Sequence, residues 1–296
     1  MTVIPTARSH ADTRRATWLG ATAVPMWATL AWLTTSLTRL PAFELLAIGF
    51  GLGAVALIIV RLASGGDLRV LRRVPLRAWL LGIGGLFFYH LFYVLAFRAA
   101  PAAQVNLLNY LWPLLIVLFA SLLPGHRLRA RQVLGALAGL AGAVLLVAPS
   151  SDGATDGAPI GYVLALAAAV TWAGYSVLSR RIADVPSDAV IGCCAATALL
   201  AALCHVATEA TVVPSAGEWL RLVAIGLLPL GLAFVAWDYG CKRGDITMLG
   251  SLAYATPLLS TFILVAAGTA LASSKLWIAS ALIVGGAFVA SLNQQR

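Results

Sequence analysis

The sequence predicts an all-α integral membrane protein of ten transmembrane helices, arranged as two inverted five-helix repeats around a central cavity. Three observations predict it. Of 296 residues, 61% are hydrophobic and only 10% charged, with mean hydropathy +0.92; a soluble domain carries roughly 25% charged residues. The apolar residues come in continuous runs about 20 residues long, the length of a helical span, and do not alternate as in a membrane β-barrel. A polar, Gly-rich segment, Ser150–Pro159, divides these runs five and five. An odd number per half turns the second half over relative to the first and places substrate handling between them. Ten spans leave no room for a soluble domain, which excludes soluble enzymes and nucleic-acid binders.

A tail, residues 1–15, comes first. The opening apolar run follows Arg8, Arg14 and Arg15, as in a secretory signal. At Ala16–Leu37 it is too long for such a signal's core and has no clear cleavage site, so it is expected to stay as the first span. The next four spans are Ala42–Leu62, Leu76–Phe97, Ala102–Leu123 and Gln132–Ala148, which complete a first repeat over 16–149. After the outer linker 150–159 come Ile160–Ser179, Ala189–Thr208, Trp219–Tyr239, Ile246–Leu271 and Leu276–Leu292, a second repeat over 160–292 with a short tail, 293–296. Several linkers are only a few residues long and make antiparallel hairpins.

Charge sets the orientation. With the N-terminus inside, sixteen of the 20 Lys and Arg residues lie in inner segments, and only Arg39, Arg98, Arg221 and Lys275 lie outside. That asymmetry predicts a multi-pass protein of the inner membrane with both termini cytoplasmic. It also explains the net charge of +9 without nucleic acid, as topology signals and lipid-head contacts. Cys193, Cys194, Cys204 and Cys241 lie in or beside apolar runs without histidines at metal-ligand spacing, so they read as packing residues, with no metal and no cofactor expected.

Sliding the chain by 144 residues tests the repeat. Tyr110 meets Tyr254, Pro113-Leu114-Leu115 meets Pro257-Leu258-Leu259, and Gly142-Ala143 meets Gly286-Ala287. Each half contains a polar and aromatic helix start, a Pro and an apolar run, then a short loop and a Gly-rich helix. The first reads Asn106-Leu-Leu-Asn-Tyr-Leu-Trp-Pro113, Gly125-His-Arg-Leu128 and Gly135 to Gly142; the second reads Ser251-Leu-Ala-Tyr-Ala-Thr-Pro257, Ser274-Lys-Leu276 and Gly285-Gly286. In these motifs the chain resembles the EamA type of the drug/metabolite transporter superfamily, and Asn109-Tyr-Leu-Trp-Pro113 is similar to its YddG-like aromatic amino-acid exporters. The resemblance implies ten helices in two inverted halves, no enzymatic activity, and export of an aromatic or hydrophobic amino acid. The chain departs from the family at Gly125-His126-Arg127 and Ser274-Lys275, where relatives often carry a glutamate.

Polar and aromatic groups within spans are the candidates for substrate contact, because in lipid they cost energy unless they face protein or water. The fourth span supplies Gln104, Asn106, Asn109, Tyr110 and Trp112; Asn106, Tyr110 and Pro113 fall on one helical stripe. An amide can hold an ammonium or a carboxylate, and aromatic faces can stack on a ring or receive a cation. The third span supplies Tyr89, His90, Tyr93 and Phe97. His90 would contact a carboxylate, titrate, or bond to a neighbouring helix. Trp27 and, in the other half, Trp172 with Tyr175 sit deeper than an interfacial belt of Trp18, Trp79, Trp219 and Trp277 would require; Trp237 and Tyr254 correspond to Tyr93 and Tyr110. Packing between helices is the plainer reading of all of them. Pro25, Pro113, Pro229 with Gly231, and Pro257 are hinge candidates or static bends. Gly135-Ala-Leu-Ala-Gly139 reads as close helix contact.

Glu44 falls near the outer end of the second span and Asp238 near the inner end of the eighth, with no carboxylate at mid-depth. Ion-coupled carriers typically place one there. The expectation is facilitated diffusion or exchange of a neutral or zwitterionic substrate, with lipid as the other partner. The oligomeric state is open, a monomer being the working expectation. Two rival readings stand: a proton-coupled exporter of drugs or metabolites, and a membrane enzyme or assembly subunit.

Overall fold

A computed structural model describes residues 10–34, 37–100, 105, 108–123, 129–147, 158–268 and 274–291. Gln104, Asn106, the 125–127 loop and most of the 150–159 linker lie outside them. The described residues form helices joined by turns and loops, without strand. They are α1 (His10–Ala21), α2 (Ala23–Thr34), α3 (Ala42–Ala63), α4 (Leu76–Ala99), α5 (Trp112–Ala120) and α6 (Ala130–Val147). Then come α7 (Pro159–Ile182), α8 (Ala189–Thr208), α9 (Ala216–Arg243), α10 (Ile246–Ala266) and α11 (Ser274–Ser291). Among the described residues, α3, α4, α7, α8, α9 and α10 are each long and apolar enough to cross a membrane. The protein is a helical integral membrane protein.

Local chemistry sets the helix ends. Pro41 and Pro75 cap α3 and α4, and Pro159 opens α7 where a missing N–H costs nothing. Ser215 and Glu218 form a reciprocal capping box at the start of α9, and the Asp245 carboxylate accepts the Met248 N–H at 2.9 Å at the start of α10. The predicted first span is broken at Thr22 into α1 and α2. Pro25 has no N–H for the carbonyl of Ala21, four residues back, which accounts for the break. Turns at 110–111 and 253–254 likewise precede Pro113 and Pro257.

Among the described residues, two helices contain a π turn: α4 at Gly84–Phe88 and α9 at Leu228–Leu232. In α9 the cause is Pro229, which cannot donate to the preceding turn. In α4 no proline is present, and Gly84-Gly85 permits the wider turn.

The principal contacts run between the two halves of the chain. α6 lies on α11, α3 on α8, α4 on α7, and α1 on α9; α2 contacts α10, and α5 contacts both α7 and α10. The pattern is reciprocal: the start of each half lies against the π-turn helix of the other. Glycines allow the closest approaches. A Cβ at Gly20 would stand 2.7 Å from the Gly240 Cα, and one at Gly286 would stand 2.6 Å from the Gly135 oxygen, so the Gly135–Gly139 stretch is a close helix contact.

Charged groups gather at both ends of the helices. At one end Glu209 accepts the backbone N–H groups of Phe43 and Glu44 at 3.1–3.2 Å, pairs with Arg98, and meets His205 at 3.0 Å. Nearby, Arg39 binds Glu218 at 2.8 Å, and this hydrogen bond pushes the Arg39 guanidinium above its ordinary range. At the other end Arg180 donates to the carbonyls of Cys241 and Gly244, and the Thr17 hydroxyl accepts the Asp245 N–H. Of the predicted belt, Trp18, Trp219 and Trp277 are exposed, while Trp79 covers Gly192.

Candidate functional site

The centre of the molecule is a set of aromatic rings contributed by α2, α3, α4, α5, α7 and α9. Trp27 of α2 is its hub: its ring centroid lies 5.1 Å from Trp237, 5.6 Å from Trp172, 5.8 Å from Phe234 and 6.3 Å from Trp112. Most of these pairs meet edge to face, the arrangement that the ring quadrupoles favour. Trp172 stacks on Trp237 at 6.3 Å and lies 5.4 Å from Tyr89, which stacks in turn on Tyr93. Phe50, His90 and Phe234 complete the set, with Phe50 4.9 Å from His90.

Polar atoms hold the rings in place. The Trp27 indole N–H donates to the carbonyl of Pro229 at 3.1 Å, inside the α9 π turn. The Trp237 indole N–H donates to the Ser176 hydroxyl at 3.0 Å. His90 Nδ1 lies 2.6 Å from the Leu86 carbonyl of its own helix. A carbonyl only accepts, so the proton is on Nδ1 and Nε2 is the remaining polar atom of the ring. Nδ1 thus bonds within its own helix, to the π turn of α4, and not to a neighbouring helix.

Asn109 is buried, and its amide N–H donates to the Tyr89 hydroxyl at 3.2 Å. Among the described residues no hydrogen bond reaches Asn109 Oδ1. A buried acceptor left without a donor costs about 1–3 kcal/mol, so such an atom calls for a ligand or water. Here it sits one hydrogen bond from the aromatic set.

Beside that set lies a buried ion pair. Lys242 Nζ is 2.8 Å from Asp238 Oδ2, the side chains being 3% exposed. The Tyr175 hydroxyl donates to Asp238 Oδ1 at 3.2 Å, and Lys242 donates to the Val185 carbonyl at 3.1 Å. The Tyr175 ring also lies 5.3 Å from Trp172. The carboxylate that the sequence placed near the end of a span thus adjoins the rings, neutralised by a lysine one helical turn away.

Of the sequence candidates, Trp27, His90, Tyr93, Asn109, Trp112, Trp172, Tyr175 and Trp237 meet in this one region. Asn106 lies outside the described residues. Tyr254 stands apart, in a core with Val117, Leu258 and Ile283, its ring where a Gly139 Cβ would be; Tyr110 packs against that same core. Phe50, Phe234, Ser176 and Lys242 join the site without having been singled out. The two phenylalanines carry no polar tag within apolar runs, whereas Asp238 and Lys242 were readable as an i, i+4 pair. Among the described residues, no group of His, Cys, Asp and Glu side chains could hold a metal ion.

The chain matches the EamA-like transporter family twice, over residues 14–148 and 159–292. It belongs to that family. Two matches show two copies of the EamA unit in tandem. Among curated EamA-like relatives, the aromatic amino acid exporter YddG of Ancylobacter novellus is 52% identical over 95% of this chain and 98% of its own length. The aromatic amino acid exporter YddG of Escherichia coli K12 is 25% identical over 96% and 99%. A solved crystal structure, 52% identical, superposes with a TM-score of 0.90 over 94% of this chain and 96% of the other.

Proposed function

We propose that this protein exports aromatic amino acids across the inner membrane, by alternating access between two inverted five-helix halves and without ion coupling. The observation that carries the reading is Asn109 Oδ1, a buried acceptor without a donor among the described residues, beside a set of tryptophan and tyrosine rings. An amino-acid ammonium would supply the missing donor, and the side-chain ring would exchange protein–protein ring contacts for protein–substrate ones. The names of the Ancylobacter and Escherichia relatives agree with this cargo.

The halves support the mechanism. The π turns Gly84–Phe88 and Leu228–Leu232 stand 144 residues apart, as do the bounds of Ala130–Val147 and Ser274–Ser291. Together with the reciprocal packing, this favours two related units that rock against each other, with Pro25, Pro113, Pro229, Gly231 and Pro257 at the helix interruptions acting as hinges. The charge distribution favours cytoplasmic termini. Pairing of Asp238 with Lys242 leaves this part of the site neutral, which suits a zwitterion and an uncoupled carrier.

Flux in liposomes containing only this protein tests the proposal. Labelled phenylalanine and tryptophan should cross in preference to lysine and glutamate, equally fast with and without a pH gradient. Asn109→Leu should raise the half-saturating concentration about tenfold or more, from the loss of a hydrogen bond to a charged group worth about 1.5–3 kcal/mol. Flux that requires the proton gradient would overturn the uncoupled mechanism. Failure of every aromatic amino acid to move would overturn the cargo.

A further inference from the structure

The two π turns differ in what covers them. In α9 the Trp27 indole reaches the turn and caps its Pro229 carbonyl. In α4 the Tyr175 ring lies over Gly85, but the flank of the turn beside it is open: a groove of about 440 Å³ between α4 and α7, lined by Leu80, Gly84, Phe88, Phe92, Val170 and Gly174 among others. Gly84 and Gly174 form much of its depth, since a Cβ at Gly174 would meet nothing within 4 Å. The rims are exposed apolar side chains, Leu80 at 66%, Phe88 at 47% and Val170 at 43%.

Charge is concentrated at one end of this groove. Arg77 precedes Leu80 by one turn, Arg181 follows the groove residue Leu178 by one turn, and Arg72 and Arg73 lie just ahead on the chain; all four are exposed. The contact of Arg77 with Asp184 is exposed on both sides and leaves the guanidinium accessible. At the other end, beyond Phe92, the next basic residue of α4 is Arg98, engaged with Glu209. An apolar trough at membrane depth with several arginines at one mouth matches a molecule with a long hydrocarbon tail and an anionic head.

We infer that the α4–α7 groove is a binding site for an anionic phospholipid, one acyl chain lying against the π turn and the phosphate on Arg77 and Arg181. The site goes beyond the transport reading and stands whether or not the cargo is an aromatic amino acid. A chain seated there fills the space beside a turn that no proline enforces, so it holds α4 in its present shape.

The test uses the full-length protein and a phosphatidylglycerol with a photoactivatable diazirine in mid-chain, followed by peptide mapping. Adducts should concentrate on residues 80–92 and 170–178. Unlabelled phosphatidylglycerol should displace the probe about fivefold better than phosphatidylcholine, and the double variant Arg77→Gln, Arg181→Gln should erase that preference while the elution profile is unchanged. Thr171→Trp, or Gly174→Leu where the tryptophan variant does not fold, should deplete adducts in the groove but not on the exposed face of α8. Adducts spread evenly over α8 and the groove, or equal displacement by the two lipids, would overturn the inference.

Discussion

α4 and α9 hold the same interruption at corresponding places and differ in what enforces it. In α9, Pro229 removes a donor, the Trp27 indole donates to the Pro229 carbonyl within the turn, and α3 presses on the turn so closely that a Cβ at Gly53 would stand 2.8 Å from the Leu230 oxygen and 2.9 Å from that of Gly226. In α4, two glycines allow the turn, His90 of the same helix donates to its Leu86 carbonyl, the Tyr175 ring lies over Gly85, and a groove flanks it. One interruption is compulsory and sealed; the other is permitted and open. A helix that must carry its defect keeps one shape, whereas a helix whose defect rests on weak preferences can return to regular α geometry at modest cost.

Substitutions can break this contrast, starting where the seal is tightest. Gly53→Val places branched carbons against two backbone carbonyls that cannot retreat, and overpacking of this kind costs about 1–3 kcal/mol or more. Loss of the monodisperse peak in size-exclusion chromatography, or a fall in melting temperature larger than for any other change here, is the expected result. Trp27→Phe keeps the ring contacts and deletes the indole donor. The Pro229 carbonyl loses this hydrogen bond, worth about 0.5–1.5 kcal/mol, and a thermal shift assay should register it. Pro229→Ala restores a backbone donor, so the melting temperature should hold or rise while flux slows if the turn serves as a hinge. Gly84→Ala should be mildest: a Cβ there comes no closer than 4.0 Å to Phe88, and the gain is at most about 1 kcal/mol of helix propensity. A Gly84→Ala protein less stable than Gly53→Val would reverse the comparison.

Hydropathy alone located α3, α4, α7, α8, α9 and α10 closely, because span length and loop polarity are written in composition. Trp27 and Trp172 are legible as deep aromatics for the same reason, and Asn109 as a polar group too costly to face lipid. Periodicity, however, tells which stripe of a helix is apolar or polar and not which helix it meets. Phe50 and Phe234 look like any lipid-facing phenylalanine until α3 and α9 are placed beside α4. Tyr254 shares its motif position with Tyr110, yet a glycine on α6 gives it a socket away from the rings. The π turn of α4 has no proline to announce it, so none of the three sequence readings of His90 (a carboxylate contact, titration or a bond to a neighbouring helix) includes the Leu86 carbonyl within the turn of its own helix. Packing between distant segments decides all of these.

The reciprocal contacts also bear on how the chain is made. Because α1, α3, α4 and α6 find their principal partners in α9, α8, α7 and α11, the first half enters the bilayer with its glycine seams unmatched. Residues 158–291 must still be synthesised before those seams close, which takes about 7 to 27 seconds at elongation rates of about 5–20 residues per second. During that interval the nascent half is exposed to membrane proteases and insertion chaperones. Mutations in the second half should therefore shorten the lifetime of the first, and lower the amount of protein delivered to the membrane even where the finished molecule would be sound.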